Sequence, residues 1–316
     1  LSPTLGRLAG RIAEPGADLS GVITLDASAT GRGGVLDLVL DGGIADLRVG
    51  GDATTAPYEE PKVGLGLTGR FDGGARSLTL TRATLAARAL RAGAGSPQAP
   101  FIVRMGKEAA DGAKGAFSAE GQIAAVLDLG RLGGLEGRFP FLGSVRGGTV
   151  RLDATATAGT GLSVTWKVEG TDLAFAPGAL STAGFTERRL LAGGTYAQPE
   201  TGDGVITLAS FTSSLVALVP GPAPVRVRLA PTGASLDGKA RFSADLGAIG
   251  RALDKGVGLR PGETLSGTLD LGVDGSSRGA VTELDVTFGS RDLRLPGSAG
   301  PGPLEGSAHV AMDATA

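Results

Sequence analysis

The residues able to do chemistry in this 316-residue chain are few and scattered. His309 is the only histidine and cysteine is absent, so a nucleophilic Ser has one possible base and thiolate or Cys-zinc chemistry has no source. His309 falls on the polar side of an alternating segment, Leu304, Gly306, Ala308 and Val310, where a solvent-facing strand residue belongs. Asp37 with Asp41, and Glu59 with Glu60, come nearest to the paired carboxylates of glycoside hydrolysis, yet they read as strand and turn residues on solvated faces. The string Gly64-Leu65-Gly66-Leu67-Thr68-Gly69 formally matches GxGxxG. Pyrophosphate binding needs that motif at a strand-to-helix turn, whereas here a second strand, Ser77 to Thr81, follows and the glycines fall on the outer side of a strand. No phosphate loop, metal-spaced cluster or calcium-binding nonapeptide is visible. The sequence points to a protein without enzymatic activity, cofactor or metal.

Composition narrows the partners. With 30 basic against 32 acidic residues and 4% aromatics, the chain lacks both the charge and the stacking platforms of a nucleic-acid binder. A hydrophobic fraction of 41% against 20% charged residues predicts a folded protein, despite 55 Gly and 17 Pro. No segment reaches the roughly 18 apolar residues that a membrane-spanning helix needs, since Leu208 to Val219 is short and runs into Pro220.

The elements that position these residues repeat. Leu5-Gly6-Arg7-Leu8, Gly21-Val22-Ile23-Thr24-Leu25 and Asp46-Leu47 recur as Leu129 to Leu132, Gly148 to Leu152 and Asp172-Leu173. They recur again as Leu246 to Ile249, Gly267 to Leu271 and Asp292-Leu293, a spacing of about 120 residues. The predicted units are 1–123, 124–240 and a cut-off third, 241–316, as expected of a fragment of a longer array. Asp46, Asp172 and Asp292 read as strand starts or bulges at a fixed place in the unit.

Between these marks the period is two, which predicts antiparallel strands with one apolar and one wet face. Val150 and Leu152 alternate with Arg151 and Asp153; Val164, Trp166 and Val168, then Leu269 and Leu271, then Leu284, Val286 and Phe288, do the same. Asp41-Gly42-Gly43, Asp72-Gly73-Gly74, Asp237-Gly238 and Asp274-Gly275 are predicted to be the turns between strands. A short helix is predicted to open each repeat: Ser2, Pro3, Leu5, Leu8 and Ile12; then Leu129, Leu132 and Leu135; then Ser243, Leu246, Ile249 and Leu253. The fold class expected is mostly β, an elongated, curved antiparallel sheet forming an open apolar groove with one short capping helix per repeat.

The Asp128 to Leu132 turn, the Gly148 to Asp153 strand and the closing Asp-Leu strand resemble the AsmA-like proteins, a family that includes TamB. The resemblance covers nearly the whole chain by pattern and composition. It implies a periplasmic, inner-membrane-anchored β-taco that carries phospholipid or another acyl lipid toward the outer membrane, or supports outer-membrane assembly with a β-barrel partner. The anchor itself is not in this sequence. The family brings no catalytic residues; the alternation here assigns Leu67, Val150, Leu152, Val164, Trp166, Val168, Leu269, Leu271, Leu284, Val286 and Phe288 to the groove lining. The rival expectation is a structural or adhesive β-solenoid or sandwich whose apolar faces close into a dry core.

Overall fold

The computed structural model describes residues 8–13, 19–49, 58–106, 117–132, 145–177, 181–221, 225–230, 233–255, 257–260, 262–278, 281–297 and 302–313. The chain divides into two units, residues 1–143 with 149–164 and residues 144–148 with 165–316. Both are antiparallel sheets. The first holds β1 (Leu8–Ala13), β2 (Leu19–Arg32), β3 (Val35–Val49), β4 (Tyr58–Asp72), β5 (Ser77–Ala86), β6 (Leu90–Ala94), β7 (Phe101–Met105) and β8 (Phe117–Asp128). Two strands, β9 (Val145–Ala158) and β10 (Gly161–Phe175), give residues to both units. The second continues with β11 (Phe185–Pro199), β12 (Gly204–Thr212), β13 (Val216–Val219), β14 (Val225–Ala230) and β15 (Gly233–Asp245). After the helix α1 (Leu246–Ala252) come β16 (Ser266–Arg278), β17 (Val281–Arg294) and β18 (Glu305–Asp313).

The strand pattern β2 to β8 is repeated by β9 to β15 and begun again by β16 to β18. In both full copies one strand is broken in two. β6 and β7 both lie between β5 and β8, and β13 and β14 both lie between β12 and β15. The first break carries Gly95 at φ +72° and a turn closed by Ser96 N donating to Ala99 O; the second carries Pro220.

The Asp-Leu pairs are bulges. Between β2 and β3 the register runs Ser20↔Arg48 and then Val22↔Ala45, so Gly21 faces both Asp46 and Leu47. Between β16 and β17 it runs Ser266↔Arg294 and then Thr268↔Arg291, so Gly267 faces Asp292 and Leu293. All three aspartates are left-handed, Asp46 at φ 51°, Asp172 at 50° and Asp292 at 54°. Only Gly, Asn and Asp take this region at low cost, and the chain has no Asn.

Three of the four predicted turns lie inside strands. Asp41 to Gly43 sits within β3, Asp237-Gly238 within β15 and Asp274-Gly275 within β16. The apolar runs on both sides of Asp41 to Gly43 pair without interruption with β2 and β4, and that ladder outweighs the turn preference of the tripeptide. Only Asp72-Gly73-Gly74 turns the chain, its Asp72 Oδ1 accepting from Ala75 N at 2.9 Å. A turn absent from the expectation, Gly33-Gly34, has φ of +65° and +86°, which suits a two-residue hairpin loop.

The predicted helices also need correcting. Leu8 and Ile12 lie in strand β1, paired from Leu8↔Leu25 to Ala13↔Ser20, because Leu8 to Ala13 carries the strand period as well as the helical one. Ser2, Pro3 and Leu5 are outside the described residues. The second helix is a single 3-10 turn, Leu129–Arg131; Leu135 is outside the described residues. The third is α1, whose cap is Asp245 accepting from Ala248 N at 2.9 Å; Ser243 belongs to β15. Asp128 caps the 3-10 turn through Gly130 N, so the two short helices share an Asp cap worth about 1 kcal/mol.

Most of the buried apolar residues, including Val63, Ala89, Leu173, Leu246, Ala252 and Leu293, fall at the rim where the bulges and caps are. Two carboxylates are buried there too, Glu60 at 2% and Glu187 at 3% exposure. Glu60 accepts from Arg88 N at 3.0 Å; Glu187 accepts from Ser214 N at 2.8 Å, Ser214 Oγ at 2.7 Å and Arg189 N at 3.1 Å. Each holds the tight turn into the first half of the broken strand, closed by Ala87 N to Leu90 O and by Ser213 N to Val216 O. The same turns then accept from the helix caps, Asp128 N to Ala89 O and Asp245 N to Leu215 O.

Candidate functional site: the aliphatic face

Directly paired residues of an antiparallel sheet project from the same face, so register alone sorts the side chains. In the first unit one row runs Leu25, Gly42, Leu65, Leu85, Ala92, Ala125, Leu152 across β2, β3, β4, β5, β6, β8 and β9. The next row runs Ala27, Leu40, Leu67, Ala83, Ala94, Ile123, Ala154. Six strand spacings of about 4.8 Å make each row about 29 Å long. In the second unit the corresponding row is Leu218, Phe242, Leu271, Phe288, Gly306, beside Ala240, Val273, Val286, Ala308.

The structure thus brings Leu67, Val150 and Leu152 onto one face of the first unit, and Leu269, Leu271, Val286 and Phe288 onto one face of the second. Val164, Trp166 and Val168 are half-buried and alternate with exposed Ser163, Thr165 and Lys167. Leu284 lies opposite Gly275 and Val310; its side chain is outside the described ones. The residues missed by sequence reasoning, such as Leu25, Leu40, Leu85, Ile123 and Phe242, lie in the same rows as those found, Leu40 directly opposite Leu67 and Phe242 directly opposite Leu271. Their signal was the same alternation one strand away, which needs the register before it can be joined up.

These side chains are neither sealed nor free. Leu67, Leu152, Leu271, Val286 and Phe288 are half-buried, and Leu65 at 38%, Leu36 at 40% and Ile123 at 36% exposure are open to solvent. The glycines of the GxGxxG string are divided: Gly64 and Gly66 pair with Gly43 and Asp41 on the other face, while Gly69 pairs with Leu38 and Leu80 in the aliphatic rows.

The opposite face carries most of the charged residues, with exposed Val39 and Val126 among them. Cross-strand pairs line it: Arg70 to Asp37 at 2.8 Å, Arg104 to Glu120 at 2.8 Å, Lys239 to Asp274 at 2.6 Å and Arg291 to Asp270 at 3.0 Å. His309 belongs to this set, its Nδ1 at 2.7 Å from Asp285 Oδ1 in the directly opposite position on β17. Of the carboxylates considered for hydrolysis, Asp37 is tied to Arg70, Glu59 lies 3.7 Å from Arg48, and Glu60 is the buried rim carboxylate. A concavity of about 790 Å3 in the second unit is lined by polar residues, among them Arg241, Asp270, Thr287, Arg291 and Glu305, and also by Phe242, Leu271 and Phe288 of the aliphatic row. Among the described residues no group of three or more His, Asp or Glu could hold a metal, and no helix is long and apolar enough to cross a membrane.

The guanidinium of Arg70, hydrogen-bonded to Asp37, holds that carboxyl below the usual carboxylate range. Because the folded value is lowered, any stability the pair adds is present above the ordinary carboxyl range and lost as pH falls through the lowered value. Both side chains are more than half exposed, at 63% and 54%, so solvent screens the pair. Arg70→Met should return the Asp37 titration, followed by carboxyl NMR, to its ordinary position with little change in thermal midpoint.

No family model, no curated protein and no solved structure matches this chain.

Proposed function

We propose that the chain is a non-enzymatic, lipid-accommodating segment of an AsmA-like or TamB-like protein, holding acyl chains of phospholipid against its aliphatic face. The observation that carries this is the set of rows, aliphatic but for an occasional glycine or aromatic, most of whose members stay half-exposed in the folded chain. A solvated aliphatic surface of this kind is a standing demand for an apolar partner. An acyl chain laid along it gains up to about 0.8 kcal/mol per buried CH2 and needs no polar partner there. Each row, about 29 Å, is comparable with the roughly 30 Å hydrocarbon thickness of a bilayer.

The rows would form the floor of an open, curved groove in a periplasmic protein attached to the inner membrane and meeting an outer-membrane β-barrel partner. The opposite face, with its cross-strand ion pairs, would face water. A closed sandwich accounts less well for the burial pattern, since it would cover Leu36, Leu65 and Ile123.

A photocrosslinking side chain at Leu152 or Leu271 is expected to capture phospholipid from phosphatidylethanolamine vesicles through its acyl chains. The same group at Arg151 or Thr287, on the polar face, is expected to capture none. Labelling confined to the polar positions would sink the proposal.

A further inference from the structure

Four aromatic side chains of the aliphatic face, Phe288, Tyr196, Trp166 and Phe101, share one arrangement, each lying over a glycine of the neighbouring strand, whereas Phe242 and Phe71 stand opposite leucines. A Cβ placed on Gly306 would run into the Phe288 ring, against Cζ and at 2.9 Å from Cε1 and Cε2. One on Gly204 would meet the Tyr196 ring, with Cε2 at 2.8 Å and Cζ at 3.0 Å. Gly194 stands in the same relation to Trp166, whose Cζ2 would be 3.0 Å away, and Gly121 to the ring of Phe101. All four glycines are on the aliphatic rows: Gly306 opposite Phe288, Gly204 two residues from Ile206, Gly194 opposite Leu208 and Gly121 opposite Ala156.

A ring laid on a glycine shields that strand's backbone, which is the stabilising use of such a pair. It also has a geometric result. A Phe, Tyr or Trp standing upright is the tallest object a sheet face can carry; lying across a neighbouring glycine it rises little above the Leu and Val around it. We infer that Gly204 and Gly306 are clearance residues: by letting Tyr196 and Phe288 lie flat they keep the aliphatic face low enough for an extended acyl chain to lie across the strands. This rests on the acyl-chain reading above. Gly306 and Gly204 are the sharper cases, because the nearest atoms a Cβ would meet there belong to the aromatic side chain alone, the ring of Phe288 and the ring and hydroxyl of Tyr196. At Gly194 and Gly121 a Cβ also meets the backbone, at Thr207 O and Phe101 Cα.

The test is acyl-chain capture by a photocrosslinker at Leu271, the residue directly opposite Phe288, from phosphatidylethanolamine vesicles. Gly306→Ala should tip the Phe288 ring upward and lower capture about tenfold, equivalent to about 1.4 kcal/mol of lost contact. Phe288→Ala alone removes one apolar contact of the row and sets the reference, and Phe288→Ala with Gly306→Ala should capture as Phe288→Ala does, since there is no ring left to raise. Gly204→Ala, read from a crosslinker at Ile206, supplies the same comparison with Tyr196 if Gly306→Ala does not fold. Capture undiminished in both glycine variants, with the parent labelling normally, overturns the clearance role and leaves the acyl-chain reading standing. Capture that Gly306→Ala lowers as much in the Phe288→Ala background as in the parent also overturns it. A parent that captures nothing at either position overturns the acyl-chain reading, and the clearance role with it.

Discussion

Gly267→Ala will destabilise the second unit by about 2 to 4 kcal/mol, seen as a drop in urea midpoint with little change in slope. Gly267 has φ +118°, where an L side chain is strained, and an added Cβ would lie 2.8 Å from Arg291 O, 2.8 Å from Asp292 O and 3.0 Å from Asp292 C. Those atoms are backbone of the bulge itself, so nothing yields without moving Asp292 off its left-handed position. Gly148, at φ +112° with Asp172 O at 2.7 Å, should behave alike. The control is Gly289→Ala on β17, a strand glycine with nothing within 4 Å of the added Cβ, expected to change stability by less than about 1 kcal/mol. Equal effects at Gly267 and Gly289 would mean that the bulge is not a fixed point of the repeat.

Glu187→Ala is expected to cost about 3 kcal/mol or more. The carboxylate is 3% exposed and takes three hydrogen bonds, from Ser214 N, Ser214 Oγ and Arg189 N. Truncation leaves these part-buried donors without their acceptor, and a donor that loses its partner away from water costs about 1 to 3 kcal/mol. Glu187→Gln should recover only part of the loss, because its amide keeps one acceptor oxygen and places a donor against Ser214 or Arg189. Hydrogen exchange should show the loss first at Ser213 to Val216 and then in β13, since the turn held by Glu187 leads into that short strand. A spread of faster exchange over the whole unit, with no local excess, would contradict the latch.

Much of this fold was legible in the sequence because its signals are local. Alternation along Val150 to Ala156 or Leu265 to Val273 needs no knowledge of the partner strand, and the repeated Gly and Asp-Leu marks turned out to be the two sides of one bulge. What could not be read depends on distant partners. Gly42 and Gly43 look like a turn until Leu25 and Leu65, and Thr24 and Gly64, are known to stand opposite. Glu60 and Glu187 look like ordinary surface charges, since the turns they hold, at Arg88 and Ser214, are 28 and 27 residues away. Leu8 and Ile12 fit a helix as well as a strand, and pairing with β2 decides between them. The aliphatic face lay between these cases: half of its members were found strand by strand, and the register supplied the others.

The most direct measurement uses Trp166, the only tryptophan in the chain, which lies against Gly194 on the aliphatic face. Phospholipid brominated in the middle of its acyl chains should quench Trp166 emission in proportion to bound lipid, while a water-soluble bromide at equal bromine concentration should quench it far less. Emission unchanged by the brominated lipid, or quenched equally by both, would contradict an acyl chain lying on this face.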